Sequence, residues 1–158
     1  MAATASKPKS KFVYVTYIRA TPEQVWDALL KPEFTRVYWF GVTMESDWTP
    51  GAKWTMRLPD GRVADAGEIV AAEKPKRLVI KWRNEWKPEL NAEGFSLCTM
   101  DLEQAPGAVK LTILHEIDVP ESKLIEAVSG GWPKIMAGLK SLLETGSALP
   151  DINVKPKE

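Results

Sequence analysis

The sequence predicts an α+β fold in which an antiparallel sheet lies against a long C-terminal helix. Three features of the pattern carry this expectation. Strand-like runs separated by short Pro/Gly turns fill the middle of the chain, a strong helix start follows the first strand, and apolar residues at helical spacing run from Trp132 to Leu143.

The elements follow in order. Phe12–Ile18 is β-branched and aromatic, which predicts the first strand. Thr21-Pro22-Glu23-Gln24 then supplies an N-cap, a proline at the first helical position and a capping-box Gln. Val25, Trp26 and Leu29 share one face of that helix. Lys31-Pro32 ends it, and Glu33–Tyr38 reads as a second short helix. A weak strand is expected at Val42–Ser46, then stronger ones at Lys53–Leu58, Arg62–Ala72, Arg77–Trp86, Ser96–Gln104 and Val109–Val119. The turns at Pro59-Asp60-Gly61, around Lys74-Pro75 and at Ala105-Pro106-Gly107-Ala108 are compact, whereas Lys87–Gly94 reads as a longer loop. Together these give an antiparallel meander. After Pro120, a short amphipathic piece at Ser122–Val128 precedes a helix at Trp132–Glu144 ended by Gly146. Because an interior proline clashes with the preceding turn, Pro133 predicts a break after Gly130-Gly131, which reads as a hinge or cap.

The 158 residues suit one domain, placed at residues 12–149, with polar tails expected at 1–11 and 150–158. Twenty-one basic residues balance twenty-one acidic ones, so no net field favours nucleic acid. One Cys and one His make neither a disulfide nor a Cys/His metal cage, and neither a metal nor a cofactor is expected. No apolar run is long enough to insert into a membrane and the N-terminus lacks a signal-peptide pattern, so a cytoplasmic location is expected. The composition stands out for seven Trp against three Tyr and four Phe. Something in the fold uses wide, flat apolar surface.

Alternation of side chains across each hairpin predicts lateral neighbours. The Pro106-Gly107 turn sets Leu102 opposite Leu111, Met100 opposite Ile113 and Cys98 opposite His115, all facing the core. The turn at Lys74-Pro75 sets Ile69 opposite Ile80 and Gly67 opposite Trp82 inside, with Glu68 opposite Lys81 outside. The Asp60-Gly61 turn pairs Leu58 with Val63, Met56 with Asp65 and Trp54 with Gly67. If the longer loop closes with Trp86 near Gly94, one row runs Trp54, Gly67, Trp82, Cys98, His115 and a second runs Met56, Asp65, Asn84, Ser96, Ile117. A glycine between two tryptophans would open space above the sheet, and the second row gathers polar atoms at one end. The pattern therefore predicts an apolar cavity with a polar mouth, a shape suited to a small ligand. The competing reading is that the tryptophans simply fill the core and the polar row lies in solvent.

His115 beside Cys98 suggests a thiolate–imidazolium pair, but no Asp or Asn is placed to orient the ring, and a core histidine with satisfied hydrogen bonds is the simpler reading. Asp65 pointing inward would have a raised pKa and acid/base capacity; a solvated carboxylate at the open end of the sheet competes with it. Trp26, Trp39 and Trp132 must cap the sheet, as core or as pocket lining, and Tyr14 and Thr16 share the inward face of the first strand. Lys134 and Lys140 are assigned to the outward face of the last helix. The expected ligand-binding set is Tyr14, Trp39, Trp54, Met56, Asp65, Trp82, Asn84, Cys98, Met100, His115, Trp132 and Met136, with no catalytic residue assigned.

The run from Ile18 through Thr21-Pro22 to Glu33, Trp39 before Gly41, Gly51, and above all Gly130-Gly-Trp-Pro through Ser141-Leu-Leu-Glu-Thr-Gly146 resemble bacterial SRPBCC proteins. The similarity spans about Phe12–Gly146 and is greatest to the activator of heat-shock protein 90 ATPase homologue 1-like branch. It implies a helix-grip fold, a curved sheet wrapped round the C-terminal helix with a cavity between them, as in START and birch-pollen-allergen-like proteins. It also implies a range of functions: carriers, cyclases, and co-chaperones linked to the stress response. The expected function is non-catalytic binding of a small apolar, aromatic or lipid-like molecule. A chaperone-regulating interaction and a cyclase- or hydrolase-like activity using His115, Asp65 and Tyr14 are the alternatives; a chaperone or a second copy are the possible protein partners.

Overall fold

The computed structural model describes residues 10–149. The element order is β1 (Ser10–Ile18), α1 (Pro22–Leu30), α2 (Pro32–Tyr38), β2 (Thr43–Ser46), β3 (Lys53–Arg57), β4 (Val63–Glu73), β5 (Arg77–Asn84), α3 (Pro88–Asn91), β6 (Ser96–Ala105), β7 (Ala108–Ile117) and α4 (Lys123–Thr145). β1 starts at Ser10, two residues before the expected domain edge; the remaining parts of the two expected tails, 1–9 and 150–158, lie outside the described residues.

The seven strands form one antiparallel sheet in the order β1-β7-β6-β5-β4-β3-β2. It is a meander from β2 to β7 with β1 added on the far edge of β7, where Tyr14 pairs with Ile113. One sheet face carries Ile69, Ile80, Met100, Leu111 and Ile113, all fully buried, and the inner stripe of α4 (Trp132, Ile135, Met136, Leu139) covers them. This is the helix-grip arrangement. The α1 start is as the sequence implies: Thr21 Oγ1 accepts from the Gln24 backbone N–H at 3.2 Å, and Gln24 Oε1 accepts from the Thr21 N–H at 2.9 Å.

The β6–β7 pairs are as expected, with Cys98 opposite His115, and so are the inner pairs Gly67–Trp82 and Ile69–Ile80. Three expectations are corrected. First, α4 is one unbroken helix through Gly130-Gly131 and Pro133. An interior proline costs roughly 3 kcal/mol, but Leu124 and Ile125 on one side and Trp132, Ile135, Met136 and Leu139 on the other share a buried stripe. At roughly 1.5–3 kcal/mol for each large apolar side chain buried, continuity wins.

Second, the β5–β6 register differs by two residues from the expected one: Trp82 pairs with Ser96 and Ile80 with Cys98. The stretch Lys87–Gly94 is not an open loop but holds α3, which consumes residues and shifts the closure. Cys98 and His115 thus leave the Trp54–Gly67–Trp82 row, and Ser96 joins it. Third, Leu58 does not pair with Val63; a bulge at Met56/Arg57 puts Arg57 there instead.

Candidate functional site

A cavity of about 550 Å³ opens between α4 and the β3–β5 end of the sheet. Trp39, Phe40 and Val42, following α2, form one wall. Met56, Leu58, Ala64 and Trp82 come from the β3–β5 part of the sheet, Trp86, Lys87 and Leu90 from the segment around α3, and Leu124, Ala127, Val128, Gly130, Gly131, Trp132, Lys134 and Ile135 from α4. A second depression of about 730 Å³ lies near Pro22, Pro75 and Asp101, but it is an open groove bordered by charged side chains such as the ion-paired Arg77 and Asp101. It lacks the apolar walls of a small-molecule site.

The backbone is shaped for the cavity at two places. Phe40 has φ 49°, a left-handed conformation unfavourable for a bulky residue, and Gly41 follows at φ 76°. This tight turn brings the side chains of Trp39 and Phe40 to the same cavity. In α4, a Cβ on Gly130 would meet no atom within 4 Å, and one on Gly131 would only touch Ile135 Cδ1 at 4.0 Å. No packing requires glycine there, although each costs about 1 kcal/mol of helix stability relative to Ala. Their effect is to leave space along the cavity wall. Gly67, in contrast, makes no room for a ligand: its missing Cβ would lie 1.7 Å from Lys81 O, and the Trp54 and Trp82 rings close to 4.6 Å.

Four tryptophans pack at the inner side. Trp82 contacts Trp54 at 4.6 Å, Trp132 at 5.9 Å and Trp39 at 6.4 Å between ring centroids. Trp54 Nε1 is buried without a hydrogen-bond partner. The polar end is built from Asp65 and Asn84, opposite each other on β4 and β5. Asp65 Oδ2 accepts from Trp82 Nε1 at 2.5 Å and Oδ1 accepts from Asn84 Nδ2 at 3.3 Å. Asn84 Oδ1 in turn accepts the backbone N–H groups of Trp86 and Lys87, fixing the turn out of β5. Burial pushes the Asp65 carboxyl up to about 7; the Trp82 N–H opposes this and the nearby Glu85 charge adds to it. The solvated carboxylate weighed from the sequence is therefore replaced by a buried one, held by Trp82 and Asn84 at the inner wall of the cavity.

His115 is a core group. Its Nδ1 accepts from Trp132 Nε1 at 3.2 Å, an N–H that can only donate, so the ring proton sits on Nε2 and is donated to Ser96 Oγ at 2.9 Å. Ser96 Oγ in turn donates a hydrogen bond to Trp82 O at 2.8 Å. Both ring nitrogens are spent, and burial pushes the pKa down to about 3. Cys98, opposite it, is fully buried and its thiol pKa is raised by that burial. The pair is no thiolate–imidazolium dyad.

Of the twelve residues expected to bind a ligand, Trp39, Met56, Asp65, Trp82, Asn84 and Trp132 line the cavity. Trp54, Cys98, Met100, His115 and Met136 are buried in the core beyond it, and Tyr14 is half-buried against the core from β1. Phe40, Trp86, Lys87, Leu90, Gly130, Gly131 and Lys134 line the cavity without having been expected. Pro88 after Lys87 was a usable helix-start signal for α3. Lys134, assigned to the outward face, is exposed and stands at the cavity rim. Lys140 does face outward, donating to Tyr17 O and Glu144 Oε2.

The family model described as Activator of Hsp90 ATPase homolog 1-like protein matches residues 19–144. The chain belongs to that family. Among solved structures, protein MLL2253 from Mesorhizobium loti has a TM-score of 0.72 at 22% identity, over 85% of this chain and 97% of that one. ChR145 from Cytophaga hutchinsonii reaches 0.69 at 26% identity, over 87% and 95%. The Aha1 dimer from Colwellia psychrerythraea reaches 0.70 at 14% identity, over 87% and 98%. No curated protein sequence matches. The family and these likenesses place the chain in the SRPBCC superfamily with its helix-grip fold. Since that fold hosts unrelated activities, function has to be argued from the cavity.

Proposed function

We propose that the protein binds a small apolar, aromatic or lipid-like molecule, without turning it over, in the cavity between sheet and α4. The observation that carries this is the combination of aromatic walls with two mid-helix glycines that nothing in the packing requires. A volume of about 550 Å³ lies in the range of small-molecule pockets, roughly 300–1,000 Å³. A thermal-shift panel of fatty acids, flavonoids and polyketide-like compounds tests the proposal. A ligand at a hundred times its Kd contributes about 2.7 kcal/mol and should raise Tm by roughly 5–10 °C in a domain of this size. The shift should vanish in Trp82→Ala; no shift with any compound would refute the reading.

One observation favours a second reading, turnover in the same cavity: Asp65 is buried at the cavity wall and titrates near neutrality. Asp65→Asn should then abolish turnover while binding persists. The alternative that also used His115 finds no support in a ring with both nitrogens engaged. The family description keeps chaperone regulation as a competing proposal, which an unchanged chaperone ATPase on adding the protein would remove. A second copy of the chain as partner draws support from the Colwellia dimer and from Val13, Val15 and Tyr17, which leave the edge strand β1 exposed and apolar. No helix among the described residues is long and apolar enough to cross a membrane; a cytoplasmic location stays part of the proposal.

A further inference from the structure

The polar atoms around the cavity are not equivalent. Asn84 has its side-chain oxygen committed to two backbone N–H groups and one of its two Nδ2 hydrogens to Asp65, and the Trp82 N–H is likewise committed to Asp65. The Asp65 carboxylate itself receives two hydrogen bonds but has about four acceptor positions. It is the inner acceptor with capacity left over, and in apolar surroundings a carboxylate oxygen gains strongly from an added donor.

The rim has the opposite character. Lys87 and Lys134 are both exposed and both border the opening, from the α3 side and from α4, and no acidic residue other than the inner Asp65 borders the cavity. Glu85, the acid next along the chain, is engaged by Arg83 at 2.5 Å. Lys87 Nζ lies 5.1 Å from the centre of the Trp86 ring, and among the described residues Lys134 forms no ion pair. Ala127, Gly130 and Lys134 follow one another at helical spacing along the wall, so the small residues lead directly to the Lys134 ammonium.

We propose that the cavity selects an apolar molecule with two distinct polar ends, a hydroxyl or other hydrogen-bond donor placed inside against Asp65 and an anionic group such as a carboxylate held at the rim by Lys87 and Lys134. This rests on the cavity being a binding site and specifies its ligand class, a hydroxylated apolar acid. The inner end supplies orientation through a buried acceptor, and the rim supplies charge attraction that is screened by salt. Glu85 on the β5 side, the two rim lysines and the neutral His115 behind Trp82 are the titratable groups around Asp65; at pH 8 its carboxyl is ionised and acts as an acceptor.

The test is calorimetric titration at pH 8 with four naphthalenes: the parent, 2-naphthol, 2-naphthoic acid and 6-hydroxy-2-naphthoic acid. Wild type should bind 2-naphthol at least ten-fold tighter than naphthalene, and this gain should be lost in Asp65→Asn. It should bind 2-naphthoic acid several-fold tighter than naphthalene at low salt, and that gain should be lost in the Lys87→Met/Lys134→Met variant, with the hydroxy acid tightest of the four. Circular dichroism and Tm establish that each variant is folded. If naphthalene binds but the substituents add nothing, or add as much in the variants as in wild type, the two-ended ligand is wrong and the apolar cavity stands. If none of the four binds, both the ligand class and the cavity reading fall.

Discussion

Asp65 and His115 are both buried next to Trp82, and they oppose each other in pH dependence. The Asp65 carboxyl, ordinarily near 3.8, sits at about 7 in the folded protein, so the folded state holds an extra proton between those values. Its contribution is full below about pH 4 and is lost as pH rises toward 7. The His115 ring, ordinarily near 6.5, is held at about 3, so its contribution is full above 6.5 and lost as pH falls toward 3. Each slope is at most about 1.4 kcal/mol per pH unit, and between pH 4 and 6.5 they oppose each other. Asp65→Asn removes one of them. Its unfolding free energy, measured by urea denaturation, should climb relative to wild type as pH rises from 4.5 to 7.5; parallel curves would show that Asp65 is not buried. Cys98→Ser should leave ligand binding intact, because the thiol lies in the core away from the cavity. At this scale the sequence was informative about identity and less so about environment. Strand alternation turned Asp65, Asn84 and His115 inward, yet it could not show that Trp82 and Asn84 would hold Asp65 in a buried position.

Among the elements, α4 and the segment around α3 decide the cavity. Gly130→Ala should stabilise the protein by about 0.5–1 kcal/mol, since it improves helix propensity and its Cβ meets nothing within 4 Å. Chemical denaturation would reveal a loss instead if the helix were broken there. The α3 segment is tied to α4 by Glu93, whose carboxylate accepts from Ser122 Oγ at 2.6 Å and from the backbone N–H groups of Lys123 and Leu124 at 2.8 and 3.2 Å. Despite some desolvation, these bonds at the positive helix end hold its pKa below the ordinary value. Glu93→Gln should cost about 1 kcal/mol by analogy with lost N-caps, and should speed hydrogen exchange in residues 86–95. Unchanged exchange would mean that Glu93 does not hold this segment. The strands and the capping box of α1 were legible because each depends on local chemistry. The long-range Glu93 cap and the unbroken α4 were not, since both depend on burial contributed by distant parts of the chain.

For the whole molecule, the meander order and its inner face follow from hairpin turns and alternation. The error of two residues between β5 and β6 arose at the one connection without compact turn chemistry. That slip kept each side chain on its correct face, because a shift of two preserves alternation. It moved Cys98 and His115 away from the Trp82 row, so the site came out shifted rather than inverted. The seven tryptophans divide accordingly: Trp26 and Trp54 are buried in the core and Trp48 packs against it, while Trp39, Trp82, Trp86 and Trp132 border an opening that the helix glycines keep clear. The most direct measurement is titration of an apolar fluorescent anion, 8-anilinonaphthalene-1-sulfonate, into folded wild type and into Gly130→Trp, whose added indole occupies the cavity wall. Saturable one-to-one binding in wild type, weakened at least ten-fold in a variant of unchanged circular dichroism, is the predicted result. Equal binding by both proteins, or none by wild type, would contradict a ligand site between the sheet and α4.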